Sequence, residues 1–496
     1  MQQLADPLER QPALVTPEPQ SARAKTGREH YFPAVTDEEW NDWRWQFRNR
    51  ITTIEELARV LPFPHDEWLI KREIMRDFKM GITPYFLSLI DPNDPNDPIL
   101  RQCVPVTDEY IYRAVGEEDP LHEEEFSPVP GITHRYPDRV LFVLSNSCAM
   151  YCRYCTRKRM MYEDATADID VDRMVDYIAR TKTVRDVVVS GGDPLTFSTP
   201  KLERILQKLR AIPHLEIIRI GTRIPSTLPM RVDDELVDML QKYHPVFCNV
   251  HFSHPRECTP DAARALDKLS RAGIPLNSQT VLLKGVNDEL ETMRQLVHGL
   301  LKMRVRPYYL YQCDPVRGAE HFRTPISKGI EIIQGLRGYT SGFGVPTYVI
   351  DAPGGGGKIP IGPEYLVSYD KEAGKVVLRN YKGDIYHYEE PVALHPDHVQ
   401  KQLELALATP QAEAPVAATP APVNGKANGK AVNGKNGKAV NGNGHDGKNG
   451  HAALAADAPA IAAPAADAAA TGKAEAAPVV GKSKWTRRGH RAKRPD

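Results

Sequence analysis

The sequence contains no apolar run long enough to cross a bilayer, no signal peptide and no surplus of charge: 64 Lys and Arg face 64 Asp and Glu in 496 residues. The first two absences exclude a helical membrane protein and set the expectation of a cytoplasmic protein. The third argues against a folded body that binds nucleic acid through general charge. A disulfide framework is also lacking, since the cysteines number seven and three of them crowd into one short segment; that usage fits a reducing compartment. A phosphate loop is missing too. The glycine run Gly354–Gly357 ends in Lys358, but Ile359 follows where Ser or Thr is required. Both ends are poor in apolar residues: 1–30 is Pro-, Gln- and Ala-rich, and 399–496 is built of Ala, Pro, Gly, Asn and Lys in near-repeats. Such segments bury too little to offset their ordering entropy, so both are expected to be disordered tails. The basic end, Lys482–Arg494, is expected to be a solvated tail. Deleting residues 400–496 should leave turnover and assembly unchanged.

What is present is a cysteine triplet, Cys148-Ala-Met-Tyr-Cys152-Arg-Tyr154-Cys155, spaced C-x3-C-x2-C. Three thiolates can hold three irons of a four-iron, four-sulfur cluster and leave the fourth iron open for chemistry. A zinc site with a fourth ligand from elsewhere is the alternative, although zinc knuckles mostly use C-x2-C pairs.

Around the triplet, short apolar runs alternate with amphipathic stretches. The runs are 139–144, 184–189, 215–220, 246–250, 274–281, 305–310 and 345–350; the helical stretches include 201–209, 260–272, 289–302 and 326–336. This alternation predicts an α/β fold with a parallel sheet, open or closed into a barrel. Cys148, Ser190-Gly191-Gly192-Asp193, Gly221-Thr-Arg223, His251, Gln279, Asp314 and Asp351 each fall near the C-terminal end of one such run. In a (β/α) barrel that end is the functional face, so seven coincidences predict one site. Upstream, 36–60 and 65–80 read as helical, and the Asp-Pro-Asn repeat to Pro98 reads as turns.

Lys358, after four glycines, has the setting of a lysine that forms a Schiff base with an aldehyde, or of an exposed lysine on a surface loop. Arg135 and Arg139 precede the cysteine strand; they suit phosphate or phenolate oxygens, or pair with Asp138 and neighbouring Glu.

Together, Trp40–Gln46, Ser88–Pro98, Thr133–Arg139, the triplet, His321–Gly329 and Pro353–Lys358 resemble the lysine 2,3-aminomutase family over about residues 38–395. The resemblance implies a partial (β/α) barrel of the radical S-adenosylmethionine (SAM) type. It also implies an isomerase that interconverts L-lysine and L-β-lysine with a four-iron, four-sulfur cluster, SAM and pyridoxal 5′-phosphate (PLP). Position by position, it implies that Cys148, Cys152 and Cys155 hold the cluster. Ser190, Gly191, Gly192, Asp193, His251 and Gln279 would lie near SAM, Lys358 would hold PLP, and Arg135 and Arg139 would surround it. Arg157 would take the substrate carboxylate, and Asp314 and Asp351 the side-chain ammonium. An electron donor such as a reductase, flavodoxin or ferredoxin is implied, as is a homo-oligomer. Relatives that act on glutamate do not keep both acids; a radical–PLP aminomutase for glutamate or arginine is the alternative substrate reading. A radical SAM modifier of RNA or protein without PLP is a different class, and a zinc-stabilised interaction protein a third. Some family members bind a structural zinc, but here no cysteine follows Cys313 and Glu289 stands at the remaining ligand position. Metal analysis is therefore expected to find only substoichiometric zinc. The expected organisation is a tail over 1–30, a helical region over 31–125, the barrel over 126–352, a PLP-lysine loop and β-rich segment over 353–398, and a tail over 399–496.

Overall fold

Seven of the expected runs become seven parallel strands. A computed structural model describes residues 27–61, 63–162, 169–391 and 396–408; the tail expectations for 1–26 and 409–496 lie outside these. The chain divides into two units, 1–402 and 403–496. The described part of the second is the end of a helix, Pro396–Ala408.

A nine-stranded sheet runs in chain order: β1 (Ile132–Tyr136), β2 (Arg139–Ser145), β3 (Asp186–Gly191), β4 (Ile217–Thr222), β5 (Val246–Val250), β6 (Leu276–Leu282), β7 (Arg306–Gln312), β8 (Thr347–Ala352) and β9 (Gly357–Pro360). Strands β2 to β8 pair in parallel; β1 and β9 are antiparallel additions at the two edges. The Lys358 backbone N–H of β9 donates to the Tyr136 hydroxyl of β1 over 2.9 Å. A side chain thus bridges the two edges where a closed barrel would have a ladder. Helices Val171–Arg180, Thr199–Arg210, Asp234–Gln241, Pro260–Arg271, Leu290–Lys302 and Ile326–Leu336 follow strands β2 to β7 in turn. Strand alternation separates two sets of side chains. In β3, β4 and β6, Val187, Val189, Ile218, Ile220, Leu276 and Leu282 are buried in the main core, whereas Val188, Ser190, Arg219, Gly221, Gln279 and Val281 line an interior cavity.

The N-terminal block has its own core, with Ile54, Leu57, Ile82, Phe86, Leu87 and Ile99 fully or almost fully buried. Capping boxes at Thr36/Glu39 and Thr53/Glu56 start two of its short helices, where the sequence suggested one span. The expected Asx turns are present: Asn93 and Asn96 donate their backbone N–H groups to Asp91 and Asp94, and Asp97 caps the helix Pro98–Cys103. Met150 of the cysteine loop packs into this core. A separate three-stranded antiparallel sheet, β10 (Leu366–Asp370), β11 (Lys375–Arg379) and β12 (Ile385–Glu389), follows the barrel.

Candidate active site

The β8–β9 hairpin places Asp351 directly opposite Lys358 in the ladder. Their side chains form an ion pair, with Lys358 Nζ 2.9 and 3.2 Å from the two Asp351 oxygens. The connecting turn needs its glycines: Gly354, Gly355 and Gly357 have φ of +67°, +77° and +85°. Asp314, two residues past β7, lines the same cavity. Burial, then the charge of Asp351, pushes its carboxyl up to about 7. Two acids and one lysine therefore share one end of the barrel mouth.

The cavity measures about 580 Å³ and is lined by Cys152, Cys155, Arg157, Arg135, Arg139, Ser190, His251, Gln279, Asp314, Asp351 and Lys358. Cys148, Gly191, Gly192 and Asp193 do not line it. The two glycines have a packing reason for lacking a side chain. A Cβ on Gly191 would lie 2.5 Å from Ser145 O, and one on Gly192 would lie 2.7 Å from Ser147 N. Both abut the backbone that leads into Cys148, so Gly192→Ala should displace that loop and lower iron incorporation, as iron and sulfide analysis would report. Asp193 is buried and accepts from Thr222 Oγ1 (2.8 Å), Arg223 N (2.7 Å) and Leu195 N (3.1 Å).

The cysteine loop is pinned from outside the barrel. Tyr151 N donates to Gly81 O (2.9 Å), Arg153 N to Gln102 O (2.9 Å), and Arg50 to Cys148 O. The fully buried Arg153 grips both oxygens of Glu109. Burial, followed by Asp193, pushes the Cys148 thiol up; burial, followed by Cys152, pushes Cys155 up to about 11. The three sulfurs therefore feel one another. Yet among the described residues no three His, Cys, Asp or Glu converge to hold a single metal ion. A cluster does not require such convergence, because each thiolate takes its own iron. Arg223 Nη1 donates to Cys152 Sγ over 2.9 Å, a contact that would favour the thiolate form of that sulfur.

Arg157 meets Glu123, with Nε 3.1 Å from both oxygens and Nη2 2.7 Å from one. Burial opposes the charge on Glu123, but Arg157 together with Arg159 and Arg135 holds the carboxyl below its usual range. Arg135 stacks over Phe126 at 4.9 Å, and its buried Nε has no partner. Arg135 also lines the cavity, where a guanidinium suits a phosphate oxygen. Arg139 pairs with Asp138 at 2.8 Å, the alternative already open from the sequence, and lies over Tyr136. His251 Nε2 lies 3.0 Å from Tyr154 OH, and burial holds its imidazole well below the usual range, hence neutral. Gln279 Nε2 donates to Tyr311 OH (3.1 Å).

Several cavity residues lie outside the motifs singled out in the sequence. A bulge between Ser278 and Gln279 of β6 leaves Tyr308 of β7 as an extra residue, so Tyr308 and Tyr309 both face inward, their hydroxyls 3.0 Å apart. Arg219 and Asp186 pair at 2.8 Å on the barrel floor. A charged residue between isoleucines in 217–220 is a readable signal for the former.

Residues 142–297 match the Radical SAM superfamily family model, and 333–419 match LAM_C, Lysine-2,3-aminomutase. The chain is 54% identical over 371 residues to L-lysine 2,3-aminomutase of Clostridium subterminale, covering 74% of this chain and 89% of that protein. L-lysine 2,3-aminomutase of Bacillus subtilis is 48% identical over 75% of this chain and 79% of its own length. Glutamate 2,3-aminomutase of Clostridioides difficile is 43% identical, over 72% and 85%. With a barrel of this topology and this coverage at this identity, the chain belongs to the lysine 2,3-aminomutase family.

Proposed function

We propose that this protein interconverts L-lysine and L-β-lysine. The observation that carries the reading is the Lys358 ammonium seated on Asp351 beside Asp314: an alkylammonium already occupies the position the substrate's side chain would take. As in its family, a four-iron, four-sulfur cluster and SAM supply a 5′-deoxyadenosyl radical, and PLP supplies the π-system across which an amino group shifts. Cys148, Cys152 and Cys155 would hold the cluster. Ser190, His251 and Gln279 line the part of the cavity assigned to SAM, while Gly191, Gly192 and Asp193 support it from behind. Lys358 Nζ would hold the PLP aldehyde carbon, and Arg135 and Arg139 would bind its phosphate and phenolate side.

The chain's own residues fix the substrate at both ends. Arg157, braced by Glu123, offers its remaining donors to the substrate carboxylate. Asp314 and Asp351 take the distal ammonium once Lys358 is engaged. Neutral His251 adds no charge near SAM. The tyrosines of β7 wall the cavity and exclude water, which preserves a carbon radical and strengthens the charge contacts. A side chain without an ammonium would leave the acids unpaired, so glutamate should be rejected by roughly 10⁴.

The Asp314 carboxyl, raised to about 7, gives a pH test. Below that pH the acid is protonated, and binding an ammonium must expel the proton. KM for lysine should therefore rise as pH falls below about 7, by up to roughly tenfold per unit, and level off above it. The stability sign is opposite to that of a salt-bridged acid. Between 3.8 and about 7 the folded chain keeps a proton the unfolded chain has lost, so this group's contribution falls as pH rises through that window.

Among the described residues no helix is long and apolar enough to cross a membrane. We assign the enzyme to the cytoplasm, with its electron from a flavodoxin, ferredoxin or reductase. A homo-oligomer is supported by the β10–β12 sheet, where Leu366, Tyr386 and Tyr388 are exposed. The deciding experiment is anaerobic turnover of iron-reconstituted protein with PLP, SAM, dithionite and L-lysine, with L-glutamate and L-arginine in parallel. β-Lysine formed only with both SAM and PLP supports the assignment; intact cofactors without β-lysine would overturn the substrate.

A further inference from the structure

Arg223 is a charged side chain with no role in binding lysine or PLP, yet it sits in a densely hydrogen-bonded polar cluster. It is 8% exposed, at the C-terminal end of β4. Nη1 donates to Cys152 Sγ (2.9 Å) and to Tyr154 OH (2.8 Å); Nη2 meets Gln102 Oε1 and the fully buried Glu257 (3.2 Å). Its backbone N–H is held by Asp193 at 2.7 Å. Asp193 thus sets the turn that aims Arg223 at a cysteine sulfur. Tyr154 OH continues the network to His251 (3.0 Å) and Ser253 (2.8 Å).

Glu257 matches the charge of the guanidinium but meets Nη2, whereas Nη1 donates to the sulfur, so the positive side of the pair lies against Cys152. One electron entering a cluster spreads negative charge over irons, sulfides and thiolates. A fixed positive charge at a thiolate favours the reduced form, and hydrogen bonds to cluster sulfurs act in the same sense.

We propose that Arg223 is a tuning residue that acts through Cys152 to raise the reduction potential of the cluster, with Glu257 partly offsetting it. This rests on Cys152 being a cluster ligand. The residue takes no part in bond making. Its work is to let a low-potential electron carrier deliver one electron to the cluster before SAM is cleaved.

The test is a redox titration of the full chain, reconstituted anaerobically with iron and sulfide and followed by electron paramagnetic resonance. Arg223→Met should hold the same iron per chain with a midpoint at least 59 mV more negative, a tenfold shift in the one-electron equilibrium. Arg223→Lys should recover part of that shift. Glu257→Gln keeps the acceptor oxygen but removes the opposing charge, so its midpoint should move the other way. A midpoint unchanged in both Arg223→Met and Glu257→Gln would overturn the proposal. If Arg223→Met holds no cluster, an unmoved Glu257→Gln midpoint overturns it alone, because a purely structural arginine would alter iron content and not potential. Failure of the underlying ligand assignment is separable: Cys152→Ala would then retain the wild-type cluster signal.

Discussion

Asp351→Asn should lower kcat/KM for L-lysine by roughly 10²- to 10³-fold or more, with iron content unchanged and PLP still trapped on Lys358. Removing one partner of a buried charge pair costs about 3–5 kcal/mol, because the remaining charge is left uncompensated. In this site the group left uncompensated would be the substrate's ammonium, facing only Asp314. Asp314 is raised to about 7 largely by burial and then by the charge of Asp351. Neutralising Asp351 should therefore let Asp314 ionise at lower pH. The variant should show a smaller loss for a given pH drop than the wild type, and Asp314→Asn should abolish the rise of KM below pH 7. Near-normal turnover in either variant would remove both acids from the substrate assignment and leave the Asp351–Lys358 contact as a cross-strand ion pair.

Lys358→Ala should abolish β-lysine formation, a loss of at least ~10³-fold, since without a tethered amine the cofactor is neither retained nor oriented. Borohydride reduction followed by mass spectrometry should find PLP on Lys358 in the wild type and nowhere specific in the variant. Iron content should be unaffected, because Lys358 and the cysteine loop lie on separate elements. A radical SAM enzyme without PLP would behave otherwise: its activity would survive the substitution, and a PLP-dependent aminomutase would be ruled out.

Much of the fold and site is legible because the two use different sequence signals. The seven parallel strands announce themselves as short apolar runs, and the residues near or just past their ends carry the polar motifs. Boundaries slip by up to two residues, as at 184–189 against Asp186–Gly191, because turn residues and strand ends look alike locally. The helix Asp234–Gln241 and the edge strand β1 do not stand out, since short elements carry little periodicity. Contacts distant in sequence are beyond reach. Nothing near Arg157 announces Glu123, thirty-four positions away, and nothing in 305–310 reveals the bulge that turns two consecutive tyrosines inward. The reason for Gly191 and Gly192 also changes level: the motif finds the residues, while the atoms they make room for belong to the loop before Cys148.

The alternation of strand side chains has a consequence for redesign. In β6, Ser278 and Leu282 are buried on one face while Gln279 and Val281 face the chamber; β3 and β4 divide in the same way. Chamber and shell are thus written on interleaved but separate letters of the same words. Substitutions confined to the inward letters, such as Tyr308 or Tyr309, should change the chamber's shape while leaving the packing under the helices intact. The shape of the chamber can then be altered largely apart from the shell that supports it.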